Sequence, residues 1–166
     1  MINQSFTVKQ LPAELITPEA FKPYGQIITP SLDGKLFDGD DAQLDLSRGT
    51  PRFYLMHLHQ KDKKFHTITR HLLCTQCLGA LNGQEWLIVV CPSEKALEPN
   101  LNQIKAFRIS GNCFIKLEVG TWHTGPYFNS QTMNFYNLEL HNTNIVDHFT
   151  YSFLKEKKLK FEIVNF

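Results

Sequence analysis

Two histidines and a glutamine are the side chains of this sequence that are best spaced to share a site. Four residues separate His71 from Gln76 in the stretch ITRHLLCTQCLGALNG, and six more separate Gln76 from Gly83. Downstream, His123 closes a second stretch with the spacing E-x-G-x-x-H. Imidazole nitrogens suit divalent nickel, zinc, iron or copper, and neighbouring antiparallel strands can bring sequence-distant ligands to one point. His71, Gln76 and His123 are therefore the first candidates for a shared site.

A CxxC pair lies in the same stretch, but its spacing argues against a metal or redox role. Cys74 and Cys77 are three residues apart, and on a strand an odd separation points two side chains to opposite faces. A zinc site needs converging thiolates, normally with a second pair, whereas Cys91 and Cys113 stand alone in strand-like segments. A thioredoxin-like motif needs a helix start in a βαβ context, which the sequence does not indicate. We therefore expect four buried, reduced thiols.

Two further groups of possible ligands are better explained as surface features. His57 and His59 share a strand face in LMHLH, yet the following QKDKKF supplies mostly lysines. We expect these histidines at the surface or on the rim of a site. To be a calcium loop, the acidic stretch DGDD would need an oxygen ligand at its fifth position and glycine at its sixth. Those positions are Ala42 and Gln43, so a solvated turn is expected.

The segments that must position these side chains have the features of short β-strands. They are rich in β-branched and aromatic residues, turn residues separate them, and they show neither a helical period nor an internal repeat. The 13 Phe and five Tyr suit the interior of a barrel or sandwich. The predicted strands are RFYLMHLH, HTITRHLL, QEWLIVVC, IKAFRI, CFIKLEV, QTMNFYNLEL and a last strand, FEIVNF. Many short strands without intervening helices predict an all-β fold, an antiparallel β-barrel or jelly roll.

The region before Pro51 has a different character. In ITPEAFKPYG, Thr17 can cap a short helix and Pro18 suits its first turn. Residues 30–51 are rich in Asp and Gly and show little periodicity, which predicts a long irregular loop. Near the other end of the chain, the run KEKKLK is interpreted as a solvated stretch before the last strand.

Length and composition limit the classes of function. A chain of 166 residues fits one domain, 1–166, and 42% hydrophobic with 20% charged residues is normal for a soluble globular fold. The formal net charge of +1 gives no electrostatic case for nucleic acid or an anionic membrane as partner. The start, MINQSFTVKQ, has no apolar signal region, and the longest apolar run, WLIVVC, is far too short to span a bilayer. We therefore expect a cytoplasmic protein, or an organellar one that has lost a transit sequence.

The two spaced stretches resemble the two-part signature of the cupins. In that family the first motif reads H-x-H, three or four residues, Glu, six residues, Gly, and the second reads P-x-G-x-x-H-x-x-x-N. The resemblance implies a cupin-type barrel with one or two short helices, in which motif residues hold a divalent metal. Where the cupins have histidine, glutamate, proline and asparagine, this sequence has Thr69, Gln76, Glu118 and Tyr127. The implied ligand set is therefore His71, Gln76 and His123.

A narrower resemblance covers most of the chain, from about Leu15 to Phe128. The stretches TRHLLCTQCLGALNGQEWLIVV, NLNQIKAFRISG and FIKLEVGTWHTGPYF, with the opening LITPEAFKPYGQII, look like those of the ureidoglycolate lyase family. Members carry an R-H-x-x-x-T-Q core and a G-T-W-H turn. Better-studied members have glutamate at the position of Thr69, and the ending NFYNLELHNTNIVDHFTYSF looks like that of a divergent branch.

This second resemblance implies a carbon–nitrogen lyase that cleaves (S)-ureidoglycolate into glyoxylate and urea in allantoin breakdown. It also implies a homodimer and a divalent metal, nickel by resemblance, with zinc or iron as other choices. The reaction needs a base for the hydroxyl proton, an acid for the leaving nitrogen and a cation for the carboxylate. His71 and His123 can ligate the metal or, without one, transfer the proton. The other implied roles are acid–base catalysis by Glu118 and substrate binding by Arg70, Gln76, Lys116 and Tyr136.

Alternation along a strand limits how these side chains can combine. Arg70 and His71 are adjacent, so both reach one cavity only across a bend or bulge. Two alternative functions stay open: a non-catalytic barrel that binds a small molecule, favoured by Thr69 and Gln76, and a metal-dependent cupin enzyme that acts on another small carboxylate. The lyase is favoured by the joint presence of Arg70, His71, Lys116 and His123.

Overall fold

A computed structural model describes residues 5–165 and shows an all-β architecture. Residues 1–4 and 166, which are the ends of the predicted domain and the last residue of FEIVNF, lie outside the described residues. The strands are β1 (Thr7–Leu15), β2 (Gly25–Ile28), β3 (Pro51–His59), β4 (Lys64–Phe65), β5 (Thr67–Arg70), β6 (Gln76–Ala80), β7 (Trp86–Cys91), β8 (Lys105–Ile109), β9 (Phe114–Leu117), β10 (Trp122–Tyr127), β11 (Thr132–Leu140), β12 (Phe149–Ser152) and β13 (Leu159–Val164). The helices are α1 (Pro18–Phe21), α2 (Thr143–Val146) and α3 (Phe153–Lys157).

The strands form two sheets that face each other across a hydrophobic core. The larger sheet has the order β12-β5-β10-β7-β8-β1-β13-β4 and curls into a half-barrel, and the smaller has the order β2-β9-β6-β11-β3. This is the predicted all-β, cupin-like barrel. One strand corrects the expectation of purely antiparallel pairing, because β1 pairs in parallel with β13 and with β8. It enters the larger sheet between two strands that run in its own direction.

The central strand β7 is buried on both faces. Its residues Trp86, Ile88 and Val90 pack in the core between the two sheets. The alternate residues Leu87, Val89 and Cys91 pack in a second core, which the curled larger sheet encloses together with α3. Burial on both sides explains why WLIVVC reads as a continuous apolar run without alternation.

The helix and the loop predicted before β3 are both present. The Thr17 hydroxyl accepts a hydrogen bond from the Ala20 amide at 3.2 Å, and Pro18 is the first helical residue of α1. Between β2 and β3 the chain contains neither helix nor strand. None of the described helices is long and apolar enough to cross a membrane.

The strand predicted as HTITRHLL is shorter than expected. β5 ends at Arg70, because the amides of Leu72 and Leu73 donate to the buried carboxylate of Asp147, at 2.7 and 2.8 Å, instead of to a neighbouring strand. The chain bends there, and His71 lies at the bend.

Candidate active site

His71 and His123 lie together at one end of the space between the sheets. Their ring centres are 5.0 Å apart and their planes meet at 56°. On β10, His123 is in register with Val90, whose side chain belongs to the core between the sheets, so the imidazole points to the same side. On the other side of β10, the register partner of His123 is Thr69 of β5. Two histidines that are far apart in the sequence thus meet where two strands of the larger sheet pair.

Both histidines are held by backbone carbonyl groups. Nδ1 of His71 lies 2.5 Å from the carbonyl oxygen of Asp147, and Nδ1 of His123 lies 3.1 Å from that of Thr121. A carbonyl oxygen only accepts hydrogen bonds, so Nδ1 carries the proton in each neutral ring. Each Nε2 is therefore left with a lone pair that can accept a proton or bind a metal.

The surroundings keep both rings neutral. Burial lowers the pKa of His71, although the hydrogen bond to Asp147 and the charges of Asp147 and Glu139 oppose this. Burial lowers the pKa of His123 to about 3, and repulsion by His71 adds to this. His123 keeps some exposed surface, but the protein that surrounds it displaces most of the water that would stabilise a cation. At neutral pH the pair consists of two uncharged imidazoles.

Gln76 approaches the same space from the smaller sheet with a fixed orientation. Its Nε2 donates to Asn137 Oδ1 at 3.1 Å and to Glu139 Oε2 at 2.9 Å. A carboxylate cannot donate a hydrogen bond, so the nitrogen of the Gln76 amide, and not its oxygen, lies next to Asn137 and Glu139. The amide oxygen Oε1 is buried and has no hydrogen-bond partner among the described residues.

One narrow cavity joins these groups. Its walls include His71, Gln76, His123, Cys74 and Glu118. The space between atoms amounts to about 150 Å³ and does not admit a water-sized sphere, so a ligand enters only when side chains at its edge move. His148 lies at that edge, exposed, with its ring centre 5.7 Å from that of His71.

Arg70, the predicted ligand of a substrate carboxylate, points away from the cavity. Its guanidinium lies 4.3 Å from the ring centre of Trp122 and donates to the carbonyl oxygens of Glu94 and Ala96. Trp122 belongs to the second core, so Arg70 and the histidines occupy opposite faces of the larger sheet. The bend after Arg70 changes the course of the chain but does not bring both side chains to one side.

Lys116 and Tyr136 also lie apart from the histidines. The neighbours of Lys116 on β9, Ile115 and Leu117, pack in the core between the sheets, so alternation points Lys116 to the outer face of the smaller sheet. There its ammonium contacts the carboxylate of Glu118, which reaches the wall of the histidine cavity from outside. Tyr136 stacks on Phe53 at 5.7 Å and borders a separate cavity of about 360 Å³.

The sequence interpretation missed three residues that shape the site. Glu139 and Asn137 continue the inward-facing positions of Met133 and Phe135 on β11, so period-two alternation could have identified them. Asp147 gave no such signal, because its role depends on the bend after β5, which lies far away in the sequence.

The cysteines are all free and buried, as predicted. Burial raises the pKa of Cys77 and of Cys91 to about 11 and also raises that of Cys113. These thiols therefore stay protonated at neutral pH and are poor nucleophiles. Cys74 faces Thr143 at 3.5 Å.

A wider depression of the described surface lies elsewhere. It has a volume of about 520 Å³ and lies between β2 and the loop 35–41. Of its two lysines, Lys22 and Lys35, the second pairs with Asp38 and Asp41 of the same loop. None of the predicted site residues borders this depression. We therefore place the candidate site at the narrower histidine cavity, where the donor and acceptor groups converge.

Comparison with known proteins agrees with the resemblance seen in the sequence. The model of a family described as ureidoglycolate lyase matches residues 8–155. No curated protein matches the chain.

Proposed function

Because the chain belongs to the ureidoglycolate lyase family, we propose that it cleaves the carbon–nitrogen bond of ureidoglycolate and releases glyoxylate and urea. The observation that best supports this is a pair of imidazoles, 5.0 Å apart, in one cavity with an amide oxygen that has no hydrogen-bond partner among residues 5–165. The reaction moves a proton from a substrate hydroxyl to a leaving nitrogen, and a neutral imidazole is suited to accept a proton and return it.

A single imidazole can carry this proton in both directions. Nε2 of His71 accepts the hydroxyl proton of the substrate, and the carbon–oxygen bond becomes the carbonyl group of glyoxylate. As the carbon–nitrogen bond breaks, the same proton moves from Nε2 to the urea nitrogen, so that atoms and charge balance. We assign this transfer to His71 because the charges of Asp147 and Glu139 favour a cation there.

The carboxylate of the substrate needs hydrogen-bond donors close to the two histidines. Thr69 lies on β5, which pairs with the strand of His123, and Thr150 lies on β12, the next strand of the sheet. The two threonines are in register, and their hydroxyl oxygens are 3.0 Å apart. Arg48 is a cation beside the His71 bend, since its guanidinium donates to the carbonyl oxygen of Leu72 at 3.0 Å. We propose that these groups, rather than Arg70, orient the carboxylate.

The donor set fits a weakly bound divalent metal. With metal–nitrogen bonds of about 2.1 Å, two imidazoles can share one ion when their centres lie 5.0 Å apart, as those of His71 and His123 do. The third donor would be Oε1 of Gln76. Among residues 5–165, no group of three His, Cys, Asp or Glu side chains could hold a metal, so the set is neutral and we expect low affinity. The ion, nickel by family resemblance, would supply a Lewis acid for substrate oxygens.

A second candidate function is binding without catalysis. Thr69 stands beside His123 where better-studied family members have glutamate, which removes a possible ligand or acid–base group from the site. The protein would then bind a small carboxylate in the same cavity and leave it unchanged.

Glyoxylate release from ureidoglycolate tests the proposal. Purified protein is assayed after treatment with a chelator and again with added nickel, and its metal content is measured. We expect turnover by the wild type and a loss of at least about 100-fold in His71→Ala, the range for removing a general acid–base group. We also expect His123→Ala to lose turnover, because it removes the imidazole that lies 5.0 Å from His71 in the same cavity. The exposed His57, held by Asn134 at 2.7 Å outside the cavity, provides the matched control His57→Ala.

The outcomes separate the two candidates. A wild-type protein that binds ureidoglycolate but releases no glyoxylate, with or without nickel, excludes the lyase and supports binding alone. Full activity in both histidine variants, with unfolding temperatures like that of the wild type, would place the site elsewhere. Because one Nε2 cannot ligate a metal and accept a proton at once, activity that survives metal removal favours the proton transfer by His71.

A further inference from the structure

Glu139 is a buried carboxylate in the wall between the sheets. Only 1% of the residue is exposed. Its oxygens accept hydrogen bonds from Gln76 Nε2 at 2.9 Å, the Tyr54 hydroxyl at 3.1 Å and Asn144 Nδ2 at 3.4 Å. No ion pair found in residues 5–165 involves it. A buried charge that neutral donors alone stabilise is unfavourable for folding, so a role in the site is the better explanation for it.

The carboxylate determines which way the Gln76 amide faces. An amide side chain can turn over and exchange its nitrogen and oxygen when its neighbours can both donate and accept. Glu139 can only accept, and so can the Asn137 oxygen that shares Nε2. Turning the amide over would bring Oε1 against two acceptors. The network therefore holds Oε1 away from Glu139, with the amide in the wall of the histidine cavity.

We propose that Glu139 is a positioning residue that presents the Gln76 oxygen as an acceptor for an electropositive ligand group. Oε1 is buried and has no hydrogen-bond partner in the part of the chain that the structure describes, and a buried acceptor that lacks a donor is unfavourable until a ligand supplies one. Two kinds of ligand have this chemistry: the N–H groups of a ureido compound and a divalent cation. The ureido alternative rests on the proposed function, whereas the orientation of the amide does not.

The orientation is tested by NMR of the glutamine side-chain amides in ¹⁵N-labelled protein, with Gln76→Ala used to assign the signals. In the wild type both Nε2 protons are bonded, so we expect them to exchange with water at least about tenfold more slowly than those of exposed glutamines. Titration with urea alone and with nickel chloride alone shows which ligand shifts the Gln76 signals. A response to urea identifies the ureido role, and a response to nickel identifies the metal role.

The variant Glu139→Gln keeps the size of the side chain but adds a donor, so the Gln76 amide can turn over. We expect at least about tenfold weaker binding of the responding ligand and, if the wild type turns over ureidoglycolate, a rise in KM larger than the fall in kcat. The control Asn144→Ala removes a donor from the same carboxylate without touching the amide and should leave both responses unchanged.

Three results would overturn the inference: wild-type Gln76 protons that exchange as fast as exposed ones, signals that respond to neither ligand, or a Glu139→Gln protein whose ligand response equals that of the wild type. The first two need only wild-type protein and the assignment, so they remain decisive if Glu139→Gln does not fold. A protein that binds as expected but releases no glyoxylate would contradict the proposed function and leave the role of Glu139 intact.

Discussion

Asp147 is the residue whose replacement should most clearly show how the site is held. Its carboxylate accepts hydrogen bonds from the backbone amides of Leu72 and Leu73 at 2.7 and 2.8 Å, and its backbone carbonyl accepts one from Nδ1 of His71. The substitution Asp147→Asn keeps the shape and the backbone carbonyl. It replaces one accepting oxygen by an amide nitrogen, which only donates, so one backbone amide then faces another donor.

The loss has two parts of similar size. A hydrogen bond to a charged group contributes about 1.5–3 kcal/mol, and a buried amide left without an acceptor costs about 1–3 kcal/mol. Because the two overlap, we expect the free energy of unfolding of Asp147→Asn to fall by about 3 kcal/mol. For a protein of this size each kcal/mol corresponds to about 2–4 °C, so Tm should fall by roughly 6–12 °C.

Activity should fall as well, because the bend positions His71. Residues that orient a functional histidine typically contribute about 10–100-fold, and we expect a loss of that size in kcat. The assays are thermal unfolding, urea unfolding and glyoxylate release. The exposed Asp33 provides the control Asp33→Asn, which removes the same charge from the surface. Wild-type Tm and turnover in Asp147→Asn would refute the claim that this carboxylate holds the bend.

Three further predictions concern acid, a close backbone contact and the metal. The pKa of His123 is about 3 in the folded protein, against about 6.5 in the unfolded chain, so the unfolded state binds the proton first as the pH falls. Stability should decrease between pH 6.5 and 3, by on the order of 4 kcal/mol, and His123→Gln should flatten this decrease in urea unfolding. At Gly111 an added Cβ would lie 1.5 Å from a backbone carbonyl oxygen, so Gly111→Ala should lower Tm by more than about 5 °C, whereas an unchanged Tm would show that the turn yields. The variant Thr69→Glu, beside His123, should bind nickel at least about tenfold more tightly than the wild type in calorimetry, because it adds an anionic ligand.

The fold was largely predictable where the strands carry strong local signals. β3, β7, β8, β9 and β11 combine β-branched and aromatic residues with clear turns, and all five were predicted within a few residues. From the sequence we did not predict β1, β2, β4, β6, β10 or β12. β6 and β10 were missed because QCLGA and WHTGPY carry small residues, proline and glycine in place of those signals. In β6 the lack of a side chain at Gly79 has a tertiary reason, since a Cβ there would lie 2.7 Å from the ring of Phe114.

Only those features of the site that depend on motifs or on strand alternation could be predicted from the sequence. The meeting of His71 and His123 was implied by the resemblance of the two spaced stretches to the cupin motifs, and it occurs because His71 directly follows β5, which pairs with β10. The direction of Arg70 follows from alternation, but its partners, Trp122 and two loop carbonyls, depend on tertiary packing. The hydrogen bonds from Leu72 and Leu73 to Asp147 join residues that are more than seventy positions apart, and no local pattern encodes such a contact.

The position of Thr69 links these observations, because it decides the charge of the site. Its register partner is His123 on one neighbouring strand, β10, and Thr150 on the other, β12, so it lies between an imidazole and a hydroxyl. A glutamate there would attract a cation and raise the pKa of His123, but it would also repel a substrate carboxylate. Threonine leaves two neutral imidazoles and one pair of hydroxyl groups, those of Thr69 and Thr150. The same replacement that weakens a metal site therefore favours an anionic ligand, which agrees with a proton transfer by His71 that needs no metal.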